Sequence, residues 1–165
     1  MRPGISVYKG MKRAGIDLVT SVPCINLQDL LGLVESDPAI IHVPVTREEE
    51  GAGICAGAYM GGKKPALMMQ NSGLGNCINA LASLDELYEL PLLMIISHRG
   101  GEGETIVGQV PMGRRTPRLL DAMEIPWFAP SPAEAEETVA RAWEEAEAGG
   151  RPAAVLFDIE FWMSE

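Results

Sequence analysis

Two short segments of the sequence carry side chains that could do chemistry, and each follows an apolar run typical of a β-strand. Residues 46–51 read Thr-Arg-Glu-Glu-Glu-Gly and place three carboxylates where a helix begins. Residues 70–76 read Gln-Asn-Ser-Gly-Leu-Gly-Asn and combine amides and a hydroxyl with two glycines, which let a ligand approach the backbone. Helix-dipole and turn preferences explain part of each pattern. Together, however, they predict a site that handles protons and polar ligands at one edge of a sheet.

Other familiar motifs are incomplete. Residues 57–64 read G-x-x-x-x-G-K-K, but Lys64 stands where a phosphate-binding loop has its magnesium-binding hydroxyl, and the segment leads from a helix into a strand. Gly73 and Gly75 begin a dinucleotide fingerprint whose third glycine is replaced by the larger Ile78. The two histidines lie far apart in the sequence and predict no metal site in this chain. Three dispersed cysteines fit a reducing cytoplasm better than a disulfide framework.

The composition is that of a globular chain with an acidic surface. The 165 residues correspond to one domain, residues 1–165, and 47% hydrophobic against 22% charged residues excludes a disordered chain. Thirteen Lys and Arg against 23 Asp and Glu give a net charge of −10, which disfavours nucleic acid and anionic membranes as partners. The longest apolar run, residues 90–96, is too short to span a bilayer, and no signal pattern opens the sequence. We therefore expect a cytoplasmic protein.

The order of apolar runs and helical stretches predicts an α/β fold. About six strands are predicted, at residues 17–22, 40–45, 66–70, 92–97, 126–128 and 153–158. Helices are predicted at residues 5–13, 27–35, 48–61, 76–88, 116–123 and 132–148, the last with Ser131 as its N-cap. This alternation is typical of a three-layer fold, with a mostly parallel sheet and helices on both faces. The glycine-rich residues 98–115 are predicted to form a long loop at the edge where ligands bind in such folds.

Several of these residues together resemble a known family, the pyrimidine-binding domain of thiamine diphosphate enzymes. The branch of sulfopyruvate and phosphonopyruvate decarboxylases is the most similar. The residues that carry the resemblance are Glu49, Gly51, Ala56, Tyr59, Gly62-Lys63, the string 70–76, Ser21-Val22-Pro23-Cys24 and Ser97-His98-Arg99-Gly100. Phosphonopyruvate enzymes usually have an acidic residue in place of Cys24 and Trp in place of His98, so these two residues favour the sulfopyruvate side. The resemblance implies that the chain has the thiamine diphosphate-binding fold and acts as an alpha subunit.

The resemblance also implies a role for each candidate residue. In the family, one glutamate binds N1′ of the aminopyrimidine so that the 4′-imino group can remove the C2 proton. Spacing to Gly51 and Tyr59 assigns this catalytic role to Glu49, with Glu48 and Glu50 as alternatives, and we expect burial to raise its pKa. The implied cofactor-binding residues are Pro23, Glu49, Asn71, Ser72, Gly73 and Gly75, and the implied substrate-binding residues are Cys24, Asn26, Gln70 and Arg99.

Two residues of the loop after the fourth predicted strand, His98 and Arg99, each have two possible interpretations. His98 is a catalytic candidate that could transfer a proton to the product, but it could equally be a hydrogen-bonded loop histidine. Arg99 suits bidentate binding of an oxyanion such as a sulfonate, and its alternative is an ordinary surface arginine. Arg114 and Arg115 are weaker candidates for the same task.

Half of the family's site has no counterpart in this sequence. The Gly-Asp-Gly motif that binds magnesium and the diphosphate does not occur in it. The resemblance therefore implies a beta subunit that supplies Mg²⁺ and the diphosphate half-site, and a hetero-oligomer that self-associates further. Small residues at 51–58 would form the interface. The implied reaction converts the 2-oxo acid 3-sulfopyruvate to sulfoacetaldehyde and CO₂, in coenzyme M biosynthesis. A phosphonopyruvate or other split 2-oxo acid decarboxylase, a non-catalytic regulatory subunit and a flavodoxin-like binding module remain alternatives.

Overall fold

The computed structural model describes residues 3–164, which alternate between strands and helices. The strands are β1 (Leu18–Ser21), β2 (Ile41–Pro44), β3 (Pro65–Gln70), β4 (Leu92–Ser97), β5 (Trp127–Phe128) and β6 (Pro152–Phe157). The helices are α1 (Pro3–Ala14), α2 (Gln28–Glu35), α3 (Glu48–Met60), α4 (Leu74–Ala80), α5 (Val110–Ala122), α6 (Ala135–Gly149) and α7 (Ile159–Met163). The strands form one sheet in the order β2-β1-β3-β4-β6-β5, and each neighbouring pair is parallel.

Helices cover both faces of the sheet, and its central strands are therefore buried along almost their whole length. Every residue of β4 is buried. Leu93 and Ile95 point into the core shared with α1, α2 and α6, while Leu92, Met94 and Ile96 point into the core shared with α3, α4 and α5. Successive side chains of a strand point to opposite faces, so one strand contributes to both cores. The three-layer, six-stranded parallel α/β fold predicted from the sequence is confirmed.

The topology places the ligand crevice of an open parallel sheet at the carboxyl ends of β1 and β3. These strands are neighbours in the sheet, but the helices that follow them pack on opposite faces, α2 in one core and α4 in the other. In open parallel sheets, ligands bind where the connections diverge in this way. The segments that the sequence analysis selected after these strands, residues 23–26 and 70–76, therefore lie at the position that the topology favours for a ligand.

The main errors of the sequence prediction concern helix ends near prolines. α5 begins at Val110 rather than at residue 116, so the predicted loop 98–115 ends at residue 109. Pro111 lies in the first turn of α5, where its missing N–H costs nothing, and Pro117 lies inside the helix. α6 begins at Ala135, because residues 132–134 form a separate turn.

Two further differences follow from local hydrogen bonding. The helix predicted at residues 76–88 is α4 followed by a π-helical segment, Leu81–Glu86. Helix α7 was not predicted. Asp158, which the sequence placed in the last strand, instead caps this helix by accepting a hydrogen bond from the backbone N–H of Phe161 at 2.8 Å. Within residues 3–164, no helix combines the length and the apolar character needed to cross a bilayer.

Candidate active site

Two of the three consecutive glutamates at the start of α3 have roles in folding. Glu48 is buried, and its Oε2 accepts a hydrogen bond from Asn76 Nδ2 at 2.8 Å. Glu50 holds the residue before the helix in place, because its Oε2 accepts hydrogen bonds from the backbone N–H and the hydroxyl of Thr46, at 3.1 and 3.2 Å. This contact ties the segment before α3 to the first turn of the helix. Each of the two carboxylates therefore has one oxygen bound to another part of the fold.

Glu49 differs from its neighbours because one of its oxygens is buried and unused. Its Oε1 accepts a hydrogen bond from Arg47 Nε at 2.6 Å. Its Oε2 is shielded from solvent and has no hydrogen-bond partner among the described residues. The backbone N–H of Glu49 and the Arg47 guanidinium lower the pKa of the carboxyl. The sequence-based expectation that burial raises the pKa of Glu49 is therefore wrong for this chain without its cofactor. The structure thus leaves Glu49 as the one glutamate of the three with an available buried acceptor within residues 3–164.

The segments after β1, β3 and β4 meet through a small network of polar side chains. The thiol of Cys24 lies 3.8 Å from Gln70 Oε1. Gln70 Nε2 donates to Ser72 Oγ at 2.8 Å and to Gln109 Oε1 at 3.0 Å. On the same edge, Asn26 Nδ2 donates to Ser97 Oγ at 3.2 Å. The structure therefore brings together Cys24, Asn26, Gln70 and Ser72 in the crevice, as the sequence predicted, and adds a glutamine that the sequence analysis missed.

Asn71, assigned to the cofactor by the resemblance, uses its side chain to fix the neighbouring loop. Its Oδ1 accepts a hydrogen bond from the backbone N–H of Arg99 at 3.0 Å. Its Nδ2 donates to the carbonyl of Arg99 and to Thr116 Oγ1, both at 3.0 Å. Both N–H donors of the amide are therefore used, and Asn71 is almost completely buried. The Asn71 side chain therefore holds the backbone of Arg99, and its assignment to the cofactor stays a prediction that now falls on its backbone.

Arg99 forms a buried, bidentate ion pair with Glu104. Its Nε donates to Glu104 Oε2 at 2.7 Å and its Nη2 donates to Oε1 at 2.9 Å. The two side chains are 11% and 1% exposed, so Arg99 is not an ordinary surface arginine. The Arg99 guanidinium and the backbone N–H groups of Ile106 and Gly100 lower the pKa of Glu104 to about 2. The carboxylate is therefore ionised at any physiological pH, and it holds both Arg99 and the loop that follows.

His98 compensates for a proline in α5. Pro117 has no N–H, so the carbonyl of Gly113, four residues earlier, cannot make its usual helical hydrogen bond. His98 Nε2 lies 3.0 Å from that carbonyl oxygen. A carbonyl can only accept, so this bond requires the proton on Nε2. The structure therefore gives His98 the role of a hydrogen-bonded loop histidine, which the sequence analysis had weighed equally, and leaves Nδ1 as its one ring nitrogen for proton transfer.

The three remaining cofactor candidates, Gly73, Gly75 and Pro23, occupy different environments. A Cβ on Gly73 would lie 2.3–2.4 Å from the side chain of Glu48, so this glycine permits close packing of that side chain. Gly75 has open space around it. Pro23 is exposed and, with Cys24, lines an open groove of about 790 Å³ along α2. The groove contains none of the other candidate residues, so the crevice rather than this groove is the candidate site.

The small residues of α3 have two separate functions. Gly51 faces the chain's own sheet, where a Cβ would lie 2.9 Å from Leu67 Cδ1 and 3.0 Å from Thr20 Oγ1. The sequence analysis attributed this close approach to another subunit or a ligand, and for Gly51 that attribution is wrong. Gly53 and Gly57 are exposed, with no atom within 4 Å of a Cβ placed on them. An interface through α3 would therefore use these two glycines.

Sequence reasoning missed Glu104, Gln109 and Thr116 as residues of this region. They lie in a loop and in the first turns of α5, where neither helical nor strand periodicity predicts which residues meet. A buried ion pair between residues five apart in a glycine-rich loop has no sequence signature. Among the described residues, no group of three or more His, Cys, Asp or Glu side chains is arranged to hold a metal ion.

Comparison with known proteins assigns the chain to a family. The family described as "Thiamine pyrophosphate enzyme, N-terminal TPP binding domain" matches residues 1–124, thiamine pyrophosphate being the same compound as thiamine diphosphate. Among solved structures, a 2-oxoglutarate:ferredoxin oxidoreductase from Magnetococcus marinus superimposes with a TM-score of 0.78 at 16% identity. The match covers 98% of this chain and 29% of that one, and it supports the fold alone. The chain belongs to the family of thiamine pyrophosphate enzymes.

Within this family, the similar curated proteins are all named as decarboxylases. The chain is 55% identical over 158 residues to the sulfopyruvate decarboxylase subunit alpha of Methanothermobacter thermautotrophicus, which covers 95% of this chain and 96% of the relative. It is 43% identical over 121 residues to the sulfopyruvate decarboxylase of Methanosarcina acetivorans, a match that covers 73% of this chain and 31% of that protein. Phosphonopyruvate decarboxylases of Streptomyces are more distant relatives.

Proposed function

We propose that this chain is the alpha subunit of a thiamine diphosphate-dependent decarboxylase that converts 3-sulfopyruvate to sulfoacetaldehyde and CO₂. The similarity to curated alpha subunits extends over nearly the full length of both chains. The single structural observation that supports the role is the state of Glu49. Two neighbouring glutamates have partners that stabilise the fold, whereas Glu49 has a buried oxygen with no hydrogen-bond partner among the described residues.

The residues of this chain fit the pyrimidine end of the cofactor. Glu49 Oε2 is the acceptor that would hold the proton shared with N1′, because an unused buried acceptor is costly unless a ligand completes it. Pro23 and the backbone at Ser72, Gly73 and Gly75 would line the same end. When bound, thiamine diphosphate supplies the carbon nucleophile and the electron sink for loss of CO₂. Glu49 then keeps the aminopyrimidine in the protonation state that this chemistry needs.

The crevice also fits a small 2-oxo acid with a second anionic group. Arg99 supplies the positive charge that such a substrate needs on a chain with a net charge of −10. Cys24, Asn26 and Gln70 would surround the uncharged part of the substrate, and His98 Nδ1 would move a proton at the product stage. The buried thiols are not nucleophiles in this scheme, since burial raises the pKa values of Cys55 and Cys77 to about 12.

A beta subunit would complete the site. The sequence contains no Gly-Asp-Gly motif. In the longer Methanosarcina relative, the part that aligns with this chain is only 31% of the protein. We infer that Mg²⁺ and the diphosphate are bound by that second chain, in a cytoplasmic hetero-oligomer, and that the reaction serves coenzyme M biosynthesis. The exposed face of α3 at Gly53 and Gly57 is a surface on which two glycines would allow close approach of this partner.

The decisive experiment measures CO₂ release from 3-sulfopyruvate by the chain purified with its natural partner, Mg²⁺ and thiamine diphosphate. We expect turnover that needs both chains and falls at least about a hundredfold in Glu49→Gln, since a proton-holding carboxylate is lost. Glu50→Gln is the matched control, because the amide oxygen of glutamine can still accept the hydrogen bonds from Thr46. Its activity should stay close to that of the wild type.

Three results would change the assignment. Turnover of phosphonopyruvate in preference to 3-sulfopyruvate would move the chain to the related decarboxylases. Full activity of Glu49→Gln would favour a regulatory subunit that keeps the fold without the chemistry. Tight one-to-one binding of the cofactor and Mg²⁺ by the isolated chain would contradict the split site.

A further inference from the structure

We propose that Glu104 is a positioning residue, which fixes the guanidinium of Arg99 so that its free edge binds the sulfonate of the substrate. The inference deepens the proposed function and rests on it. Glu104 touches no substrate in this scheme and acts only through Arg99.

The geometry of the ion pair leaves one edge of the guanidinium free. Glu104 occupies the side edge, formed by Nε and one N–H of Nη2, at 2.7 and 2.9 Å. The remaining donors, both on Nη1 and the second on Nη2, point away from Glu104 at the end of the group. They have no hydrogen-bond partner among the described residues. A planar pair of N–H groups matches two oxygens of a sulfonate, as it matches a carboxylate or phosphate.

The main chain around Arg99 is held as firmly as its side chain. Asn71 binds both the N–H and the carbonyl of Arg99. Gly100 lies so close to the backbone of Gln109 that a Cβ on this glycine would be 2.1 Å from the Gln109 carbonyl oxygen. With the main chain fixed, the direction of the guanidinium depends on the side-chain torsions, and Glu104 is the partner that sets them.

Glu104 is itself anchored, which distinguishes it from a mobile counter-ion. The backbone N–H groups of Gly100 and Ile106 donate to its two oxygens at 3.1 and 2.9 Å. Its carboxylate therefore receives four hydrogen bonds, two from Arg99 and two from the loop backbone. A carboxylate bound in this way keeps its place when a second anion arrives, and Arg99 can then bind both.

The opposite possibility is that Glu104 competes with the substrate for Arg99. In that case the sulfonate must displace the carboxylate, and removing the negative charge would strengthen binding. A positioning role predicts the reverse, because an unrestrained arginine pays the entropy of being ordered when the substrate binds. The sign of the change in affinity therefore separates the two.

The experiment uses the complex of this chain with its partner and compares Glu104→Gln with Glu102→Gln. Glu102 lies in the same loop and is exposed, so its substitution removes the same charge without touching Arg99. KM and kcat are measured for 3-sulfopyruvate. The Kd of 3-sulfopropionate, which keeps the sulfonate and cannot be decarboxylated, is measured by calorimetry. We expect Glu104→Gln to raise KM and Kd at least about tenfold with little change in kcat, and Glu102→Gln to change neither.

A double-mutant cycle with Arg99→Lys tests whether Glu104 acts through Arg99. Arg99→Lys should weaken binding on its own, and adding Glu104→Gln to it should cost little more, because the two residues form one unit. Additive losses, an unchanged KM or tighter binding in Glu104→Gln would each overturn the proposal. If Glu104→Gln gives no folded complex, Glu104→Asp takes its place, and wild-type affinity in that shortened variant would refute the inference. A wild-type complex that binds 3-sulfopropionate but releases no CO₂ would refute the proposed function alone.

Discussion

Replacing Asp85 by Asn should stabilise this chain at neutral pH. Asp85 lies in the π-helical segment after α4, is completely buried, and has no hydrogen-bond partner for either carboxylate oxygen within residues 3–164. Burial raises the pKa of this carboxyl from the reference value of 3.8 to about 7. The thiols of Cys55 and Cys77 lie near enough to feel its charge, and burial keeps both protonated. The backbone N–H of Asp85 itself lowers the pKa, but burial outweighs it, so an ionised carboxylate is only partly compensated.

The size of the effect follows from the difference between the two states. The folded chain binds a proton at Asp85 up to a pH of about 7, whereas the unfolded chain releases it near 3.8. Between these values the folded state binds more protons, so its stability falls as the pH rises, by roughly tenfold in the folding equilibrium per pH unit. Above this range, the ionised carboxylate costs the fold up to about 4 kcal/mol. Asparagine has nearly the same shape and avoids this cost.

Urea unfolding, followed by circular dichroism from about pH 5 to about pH 8, measures the difference in unfolding free energy between Asp85→Asn and the wild type. We expect the difference to favour the variant increasingly as the pH rises. Glu86→Gln is the matched control, since it removes an exposed carboxylate from the next position in the same segment. Its effect should be small and nearly independent of pH. A difference for Asp85→Asn that stays constant across the range, or that favours the wild type at high pH, would refute the reasoning.

Two further predictions concern packing around the candidate site, and both can be checked by denaturant unfolding. Gly73→Ala should destabilise the chain by about 1–3 kcal/mol and lower activity, because its methyl group would overlap Glu48. Gly75→Ala, in open space on the same segment, should leave stability unchanged or slightly raised, and equal losses in both would contradict this explanation. Asn71→Ala should cost about 2 kcal/mol or more, because two backbone groups of Arg99 lose their partner, and a neutral effect would show that this clamp is not needed.

The fold could be predicted from the sequence because its signals are local. The central strands are short, mostly apolar runs, and they alternate along the chain with stretches of helical pattern. The start of α5 was harder to predict, because the glycines of residues 98–115 suggested a loop, whereas Val110 and Pro111 already form the first turn of the helix. Helix α7 was missed because a short helix after the last strand has too few residues to show a period.

The candidate site could be predicted only in part. Glu49 was selected by its spacing, and its role stays a prediction; in the structure, Glu48 and Glu50 have partners elsewhere in the fold. The neighbours of Arg99 could not be predicted, because contacts between a loop and the ends of distant strands depend on the folded path of the chain. For the same reason, the sequence assigned Asn71 to the cofactor, whereas its side chain binds the backbone of the next loop.

The hydrogen bond between His98 and the carbonyl of Gly113 implies that two distant positions should covary. A ring N–H at residue 98 satisfies a carbonyl that Pro117 leaves without a helical donor. If another amino acid replaced Pro117, its own N–H could take over this bond, and selection for a donor at residue 98 would relax. We therefore expect relatives with proline at this position of α5 to keep histidine or another ring donor, such as tryptophan, beside it. Relatives without the proline should accept a wider range of residues there.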